Sequence, residues 1–68
     1  MSKEEAIEAL VIGKTLTHEL FIDNESIRQP RADISEYEFE DGVRISKSLF
    51  WYFRKQNYWN DGWIEKTN

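Results

Sequence analysis

The stretch that decides the fold is Glu36-Tyr37-Glu38-Phe39-Glu40-Asp41-Gly42-Val43-Arg44-Ile45-Ser46. Tyr37 and Phe39 alternate with Glu36, Glu38 and Glu40, and Val43 and Ile45 alternate with Arg44 and Ser46. That is the period-two pattern of strands with one face buried. A two-residue Asp41-Gly42 loop would set Phe39 opposite Arg44 and mix the two faces. A three-residue loop, Glu40-Asp41-Gly42, pairs Phe39 with Val43, Tyr37 with Ile45 and Glu38 with Arg44, so each side chain keeps a consistent face. Gly42 then takes the left-handed position that such a loop requires. The reading is an antiparallel hairpin.

Upstream of it, Ser2 and Glu5 match a capping box. Ala6, Ile7, Leu10 and Val11 follow at helical spacing, and Gly13 suits the left-handed residue that ends a helix. A helix is predicted over Lys3 to Ile12, with Ile7, Leu10 and Val11 toward the core. Lys14 to Phe21 reads as a strand carrying Leu16, His18 and Leu20 on one side, and Ser26 to Gln29 as a short second strand, stopped by Pro30.

Downstream, Ser46 to Gln56 can be read two ways. As a strand it sets Leu49, Trp51 and Phe53 opposite Phe50, Tyr52 and Arg54. As a helix capped near Ser46 it places Leu49, Phe50, Tyr52 and Phe53 on the core face and Trp51, Arg54 and Lys55 on the other. The Lys47-Ser48 interruption and the 3–4 spacing favour the helix. Asn60-Asp61-Gly62 is a turn signal, and Trp63-Ile64-Glu65 a closing strand. The fold class is therefore α+β: an N-terminal helix packed on a small antiparallel sheet, a short second helix and a closing C-terminal strand, in one small domain spanning residues 1–68.

Bulk composition narrows the function classes. The chain has 68 residues, ten aromatic rings and no cysteine, so neither disulfides nor thiolate metal sites are available. Its net charge is −4, from thirteen acidic and nine basic residues, which opposes nonspecific adhesion to nucleic acid or anionic membrane. The longest apolar run, Leu49 to Phe53, is far short of a membrane span, and the N-terminus has no apolar signal core. These features indicate a cytoplasmic protein with no membrane partner. Charge is unevenly spread: residues 1–42 hold four basic and eleven acidic side chains, and residues 43–68 five basic and two acidic ones.

No constellation suggests catalysis, a cofactor or a metal. His18 is the only histidine and has no triad or metal-ligand spacing around it, so it reads as an ordinary strand residue. Gly13-Lys14-Thr15 matches only the end of a phosphate loop and lacks the preceding glycine. Two surface features remain. Trp51, Arg54, Lys55, Tyr58 and Trp59 combine rings with positive charge, the chemistry of a single-strand nucleic-acid binder or of a protein or ligand contact, for which Trp51, Arg54, Lys55 and Trp59 are the candidates. Glu36, Glu38 and Glu40 would project from one strand face about 7 Å apart, twice the rise per residue, as an acidic DNA mimic would require. An ordinary solvated hairpin face, partly neutralised by Arg44, accounts for the same pattern.

The chain also resembles a group of very small phage and prophage accessory proteins. The resemblance lies in Glu5-Ala6-Ile7-Glu8-Ala9-Leu10 running into Gly13-Lys14, in Thr17-His18 and Phe21, in Glu40-Asp41-Gly42, in Phe50-Trp51 with Arg54, and in Trp59-Asn60-Asp61-Gly62-Trp63. The opening helix, the Gly-Lys step and the late tryptophan are similar to the phage Thoeris anti-defence sponge family, whose members are small oligomerising α+β proteins that sequester cyclic-nucleotide signals. This chain has Thr17-His18-Glu19-Leu20 where that family has an Arg-x-Gly-Trp stretch, so the resemblance assigns no binding residue. What it implies is a non-enzymatic accessory protein in the host-cell cytoplasm. Such a protein would bind a host protein or a small nucleotide ligand and counter a defence system. Separately, a small domain with one thin core gains stability by pairing, so a homodimer is expected.

Overall fold

A computed structural model describes residues 1–31 and 33–66. Helix α1 spans Lys3–Val11 and begins with the reciprocal bonds of a capping box: Glu5 N–H donates to Ser2 Oγ and Ser2 N–H to Glu5 Oε1. It closes at Gly13, whose φ of +93° an L side chain would resist. Strands β1 (Leu16–His18), β2 (Ile27–Arg28), β3 (Glu36–Phe39) and β4 (Arg44–Ser46) follow, then helix α2 (Lys47–Tyr52), a 3₁₀ turn at Asn57–Trp59 and strand β5 (Trp63–Glu65). All pairings are antiparallel, in the order β4-β3-β2-β1-β5. The fold is α+β.

The hairpin has the three-residue loop. Tyr37 faces Ile45 and Glu38 faces Arg44, while Phe39 N–H donates to the Val43 carbonyl at 2.8 Å. Gly42, at φ +89°, donates back to the Phe39 carbonyl at 2.9 Å, and the Asp41 carboxylate accepts from Val43 N–H. The outer edge of β5 is covered at its first residue, where Met1 and Trp63 exchange backbone hydrogen bonds, and just before it Lys3 N–H donates to the Asn60 carbonyl. Such cover protects an edge from pairing with another chain.

The buried cluster is Ala6, Ala9 and Leu10 from α1, Leu16, Ile27, Tyr37 and Trp63 from the sheet, and Phe50 from α2. Both helices therefore contribute to one core. The inward stripe of α1 differs from the expected Ile7-Leu10-Val11 face: Ile7 is only half-buried and Val11 is 47% exposed. The inward stripe is instead Ala6, Ala9 and Leu10. The first strand is also shorter than 14–21. After His18 the chain turns, with Phe21 N–H donating to the His18 carbonyl, and Leu20 is left exposed. Likewise β2 occupies only the middle of 26–29, and Val43 is exposed, not a core residue.

Because Leu10 is fully buried and Val11 is not, Leu10→Ala should lower the unfolding free energy by about 2–4 kcal/mol. Val11→Ala should change it by less than about 0.5 kcal/mol. Urea titrations followed by tryptophan fluorescence would read the difference; equal effects would contradict the observed helix face.

Candidate functional site: the outer face of the second helix

Ser46 starts α2, its Oγ accepting from Leu49 N–H at 3.1 Å. The segment is a helix, as its spacing favours, but it is rotated from the predicted orientation and ends at Tyr52. Phe50 is fully buried. Trp51, expected to point outward, packs on the core, where its Nε1–H donates to the Tyr37 hydroxyl at 3.0 Å. Its ring lies edge-on to Phe50 and Trp63, with centroids at 5.0 and 5.4 Å. Burial pushes the Tyr37 phenol up, and the bond from Trp51 partly offsets that. Leu49, Tyr52 and Phe53, expected in the core, stand 45%, 59% and 60% exposed.

Arg54 and Trp59 also fold inward. The Arg54 guanidinium lies 4.0 Å from the Phe50 ring centroid, 5.1 Å from Trp59 and 5.8 Å from Phe21. Its Nη1 donates to the Phe50 carbonyl, and its buried Nε has no hydrogen-bond partner among the described residues. Burial weighs against its charge, and the nearby Glu25 carboxylate partly compensates. Of Trp51, Arg54, Lys55 and Trp59, only Lys55 is exposed, its Nζ 4.4 Å from the Tyr52 centroid. The outward surface is instead Leu49, Tyr52, Phe53, Lys55 and Tyr58. Periodicity placed Leu49, Tyr52 and Phe53 in the core and so missed them as surface, although the absence of any acid between Gly42 and Asn60 marked the segment.

His18 lies at the other end of the core, 3% exposed and ringed by Trp59 and Trp63 at 4.5 and 4.6 Å. Its Nδ1 accepts from Leu20 N–H at 3.0 Å, so the hydrogen sits on Nε2 and is donated to the Asp61 carbonyl at 2.6 Å. Both nitrogens are thereby committed to backbone, one to each of two turns. The geometry gives His18 a structural role. No group of three or more metal-ligating side chains occurs among the described residues.

The three glutamates do not form a free acidic stripe. Glu38 accepts from Arg28 Nη2 at 2.6 Å and from Arg44 Nε at 3.2 Å. These two guanidiniums, Arg28 first, hold its carboxyl below the usual carboxylate range. Glu40 belongs to the hairpin loop, beyond the end of β3, and Glu36 has no ion pair among the described residues. A separate open groove of about 310 Å³ lies at the hairpin tip, lined by Ile22, Glu25, Phe39, Glu40, Asp41 and Val43. No helix among the described residues is long and apolar enough to cross a membrane.

Comparison with family models, with curated proteins and with solved structures finds no match to this chain.

Two outcomes follow from this geometry. His18→Phe keeps the ring but orphans the Leu20 N–H and the Asp61 carbonyl, and should cost about 1–3 kcal/mol in a denaturant titration. Glu38→Gln bears on acid stability. A carboxyl whose folded pKa is depressed contributes stability that is fully present above its unfolded value, near 4.5, and is lost as pH falls through the folded value. The variant should therefore lose stability at neutral pH and show a shallower decline below about pH 4.5, measured by melts across pH 2–6.

Proposed function

We propose that the chain is a non-catalytic binding protein of phage accessory type, working in the host-cell cytoplasm. Its contact surface is the outer face of α2 with the segment that follows, and its partner is an acidic protein surface with an apolar recess. One observation carries the reading. Seven of the ten rings pack into or against the core, while Tyr52, Phe53 and Tyr58 remain outside within seven residues of one another. Exposed aromatics beside basic groups are the usual energetic centre of a protein contact. Lys55 stands exposed beside these rings in an acid-free stretch, which favours a partner of opposite charge. Blunting a host defence system is the role that the phage-type resemblance suggests for such a surface.

A small nucleotide ligand is less well supported. The groove at the hairpin tip presents Glu25, Glu40 and Asp41, whose charges would repel phosphate. Single-stranded nucleic acid is the second reading, because Tyr52, Phe53 and Tyr58 could stack bases beside Lys55. The net charge of −4 works against it.

Tyr52→Ser with Phe53→Ser should leave the melting temperature within a few degrees, since both side chains are exposed. The same double variant should weaken binding of a protein captured from bacterial lysate by about 30-fold or more, the loss of a single strong contact residue. Undiminished capture would refute the assignment. Tight, salt-sensitive binding of a labelled oligothymidine, lost in the variant, would transfer the surface to nucleic acid.

A further inference from the structure

The inward face of the hairpin runs on past the end that α2 covers. Tyr37 packs against Phe50 and Trp51 and is fully buried, whereas Val43, two residues from Ile45 on the same face, is 56% exposed. The turn after β1 brings Ile22, 77% exposed, to the same end of the hairpin. With Phe39 these side chains wall the open groove of about 310 Å³ at the hairpin tip. Its polar rim is Glu25, Glu40 and Asp41, and no basic side chain lines it among the described residues.

Two of these carboxylates build the walls they stand beside. Glu25 Oε1 accepts from Ile22 N–H at 3.2 Å, and Asp41 Oδ1 accepts from Val43 N–H at 3.0 Å. Each bond fixes an apolar side chain and an anion as neighbours and uses only one oxygen of the carboxylate. Among the described residues no ion pair reaches Glu25, Glu40 or Asp41. Arg54 bears on Glu25 only from a distance, since its guanidinium is layered over Phe50 and does not line the groove. Arg28 and Arg44, which could otherwise answer the hairpin acids, are both spent on Glu38. The surroundings supply no other cation: residues 15–27 and 36–43, which contribute all six lining side chains, hold seven acids and no Lys or Arg. The groove is thus apolar inside and unneutralised at its rim.

We infer that this groove binds a segment of a second protein in which an aliphatic side chain is flanked by lysine or arginine. The aliphatic group enters between Ile22, Phe39 and Val43, which removes apolar area from water on both partners. The flanking cations meet the carboxylates of Glu25, Glu40 and Asp41, already held in place beside those walls. An open groove buries too little of a small molecule to hold it, whereas a protein segment anchors itself along its length as well. The site is the chemical reverse of the α2 surface, and the inference does not rest on the reading of that surface. It gives the chain a second contact, selective for a basic partner.

The full chain, labelled with nitrogen-15, can be titrated with a short acetylated peptide that alternates lysine and leucine, and followed by amide chemical shifts. Signals of Ile22, Glu25, Glu40 and Val43 should move together and saturate, while those of Tyr52 and Phe53 stay in place. Added salt should weaken the complex, because the rim charges face solvent. Ile22→Ser should raise the dissociation constant about tenfold through lost apolar contact, and Glu40→Lys about fivefold or more through charge reversal. Circular dichroism melts of both should match the parent, since both residues are exposed. No saturable shift at several millimolar peptide would overturn the inference, as would binding indifferent to both substitutions. Equal binding of a lysine–serine peptide, which lacks the aliphatic groups, or of a glutamate–leucine peptide, which lacks the cations, would do the same. Shifts of these signals on raising protein concentration alone would give the groove to a second copy of the chain and equally overturn it. The α2 surface is read separately by Tyr52→Ser/Phe53→Ser, so failure of one site is distinguishable from failure of the other.

Discussion

Trp63 ties the structure together by occupying three kinds of bond at once. Its backbone exchanges hydrogen bonds with Met1, it faces His18 across the β1–β5 pair, and its indole N–H donates to the Trp59 carbonyl at 2.8 Å. Its ring meets His18, Phe21, Phe50, Trp51 and Trp59 within about 6 Å. A 68-residue chain without cysteine has no disulfide to staple it, and a domain of this size buries only about 60% of its unfolded surface. The large ring supplies the apolar area that few aliphatic side chains could, and its N–H is satisfied inside. Every element except the hairpin tip closes on it directly or through one neighbour.

The hairpin was fully legible in the sequence because two independent constraints agree there. Face alternation excludes the two-residue loop, and Gly42 supplies the left-handed residue that the three-residue loop demands. The start of α1 was legible for a similar reason: the Ser2–Glu5 spacing is a local device whose partners are three residues apart. Local chemistry set both, so tertiary packing had nothing to override.

The rotation of α2 was not legible, and that moved the candidate site from Trp51, Arg54 and Trp59 to Leu49, Tyr52 and Phe53, with Lys55 and Tyr58 kept. Pattern reading treats all rings as equivalent core material, but a six-residue helix can turn only a narrow side toward the sheet. The choice among Leu49, Phe50, Trp51, Tyr52 and Phe53 was made by a long-range polar match: the Trp51 N–H finds the Tyr37 hydroxyl fourteen residues away. Burying those two rings without that bond would leave polar atoms unpaired. The Arg54 guanidinium, layered over Phe50 and beside Trp59, then closes the inner side and leaves Tyr52 and Phe53 no room inward.

The same constraint connects architecture to action. Once Trp51 and Arg54 are spent on the core, the acid-free stretch still carries more apolar surface than the small sheet can cover, and it emerges beside Lys55. A sequence selected for solubility alone could have placed polar residues at 52 and 53, which stand 59% and 60% exposed outside the buried cluster. Their retention as rings is a cost in aggregation that the net charge of −4 offsets only through long-range repulsion.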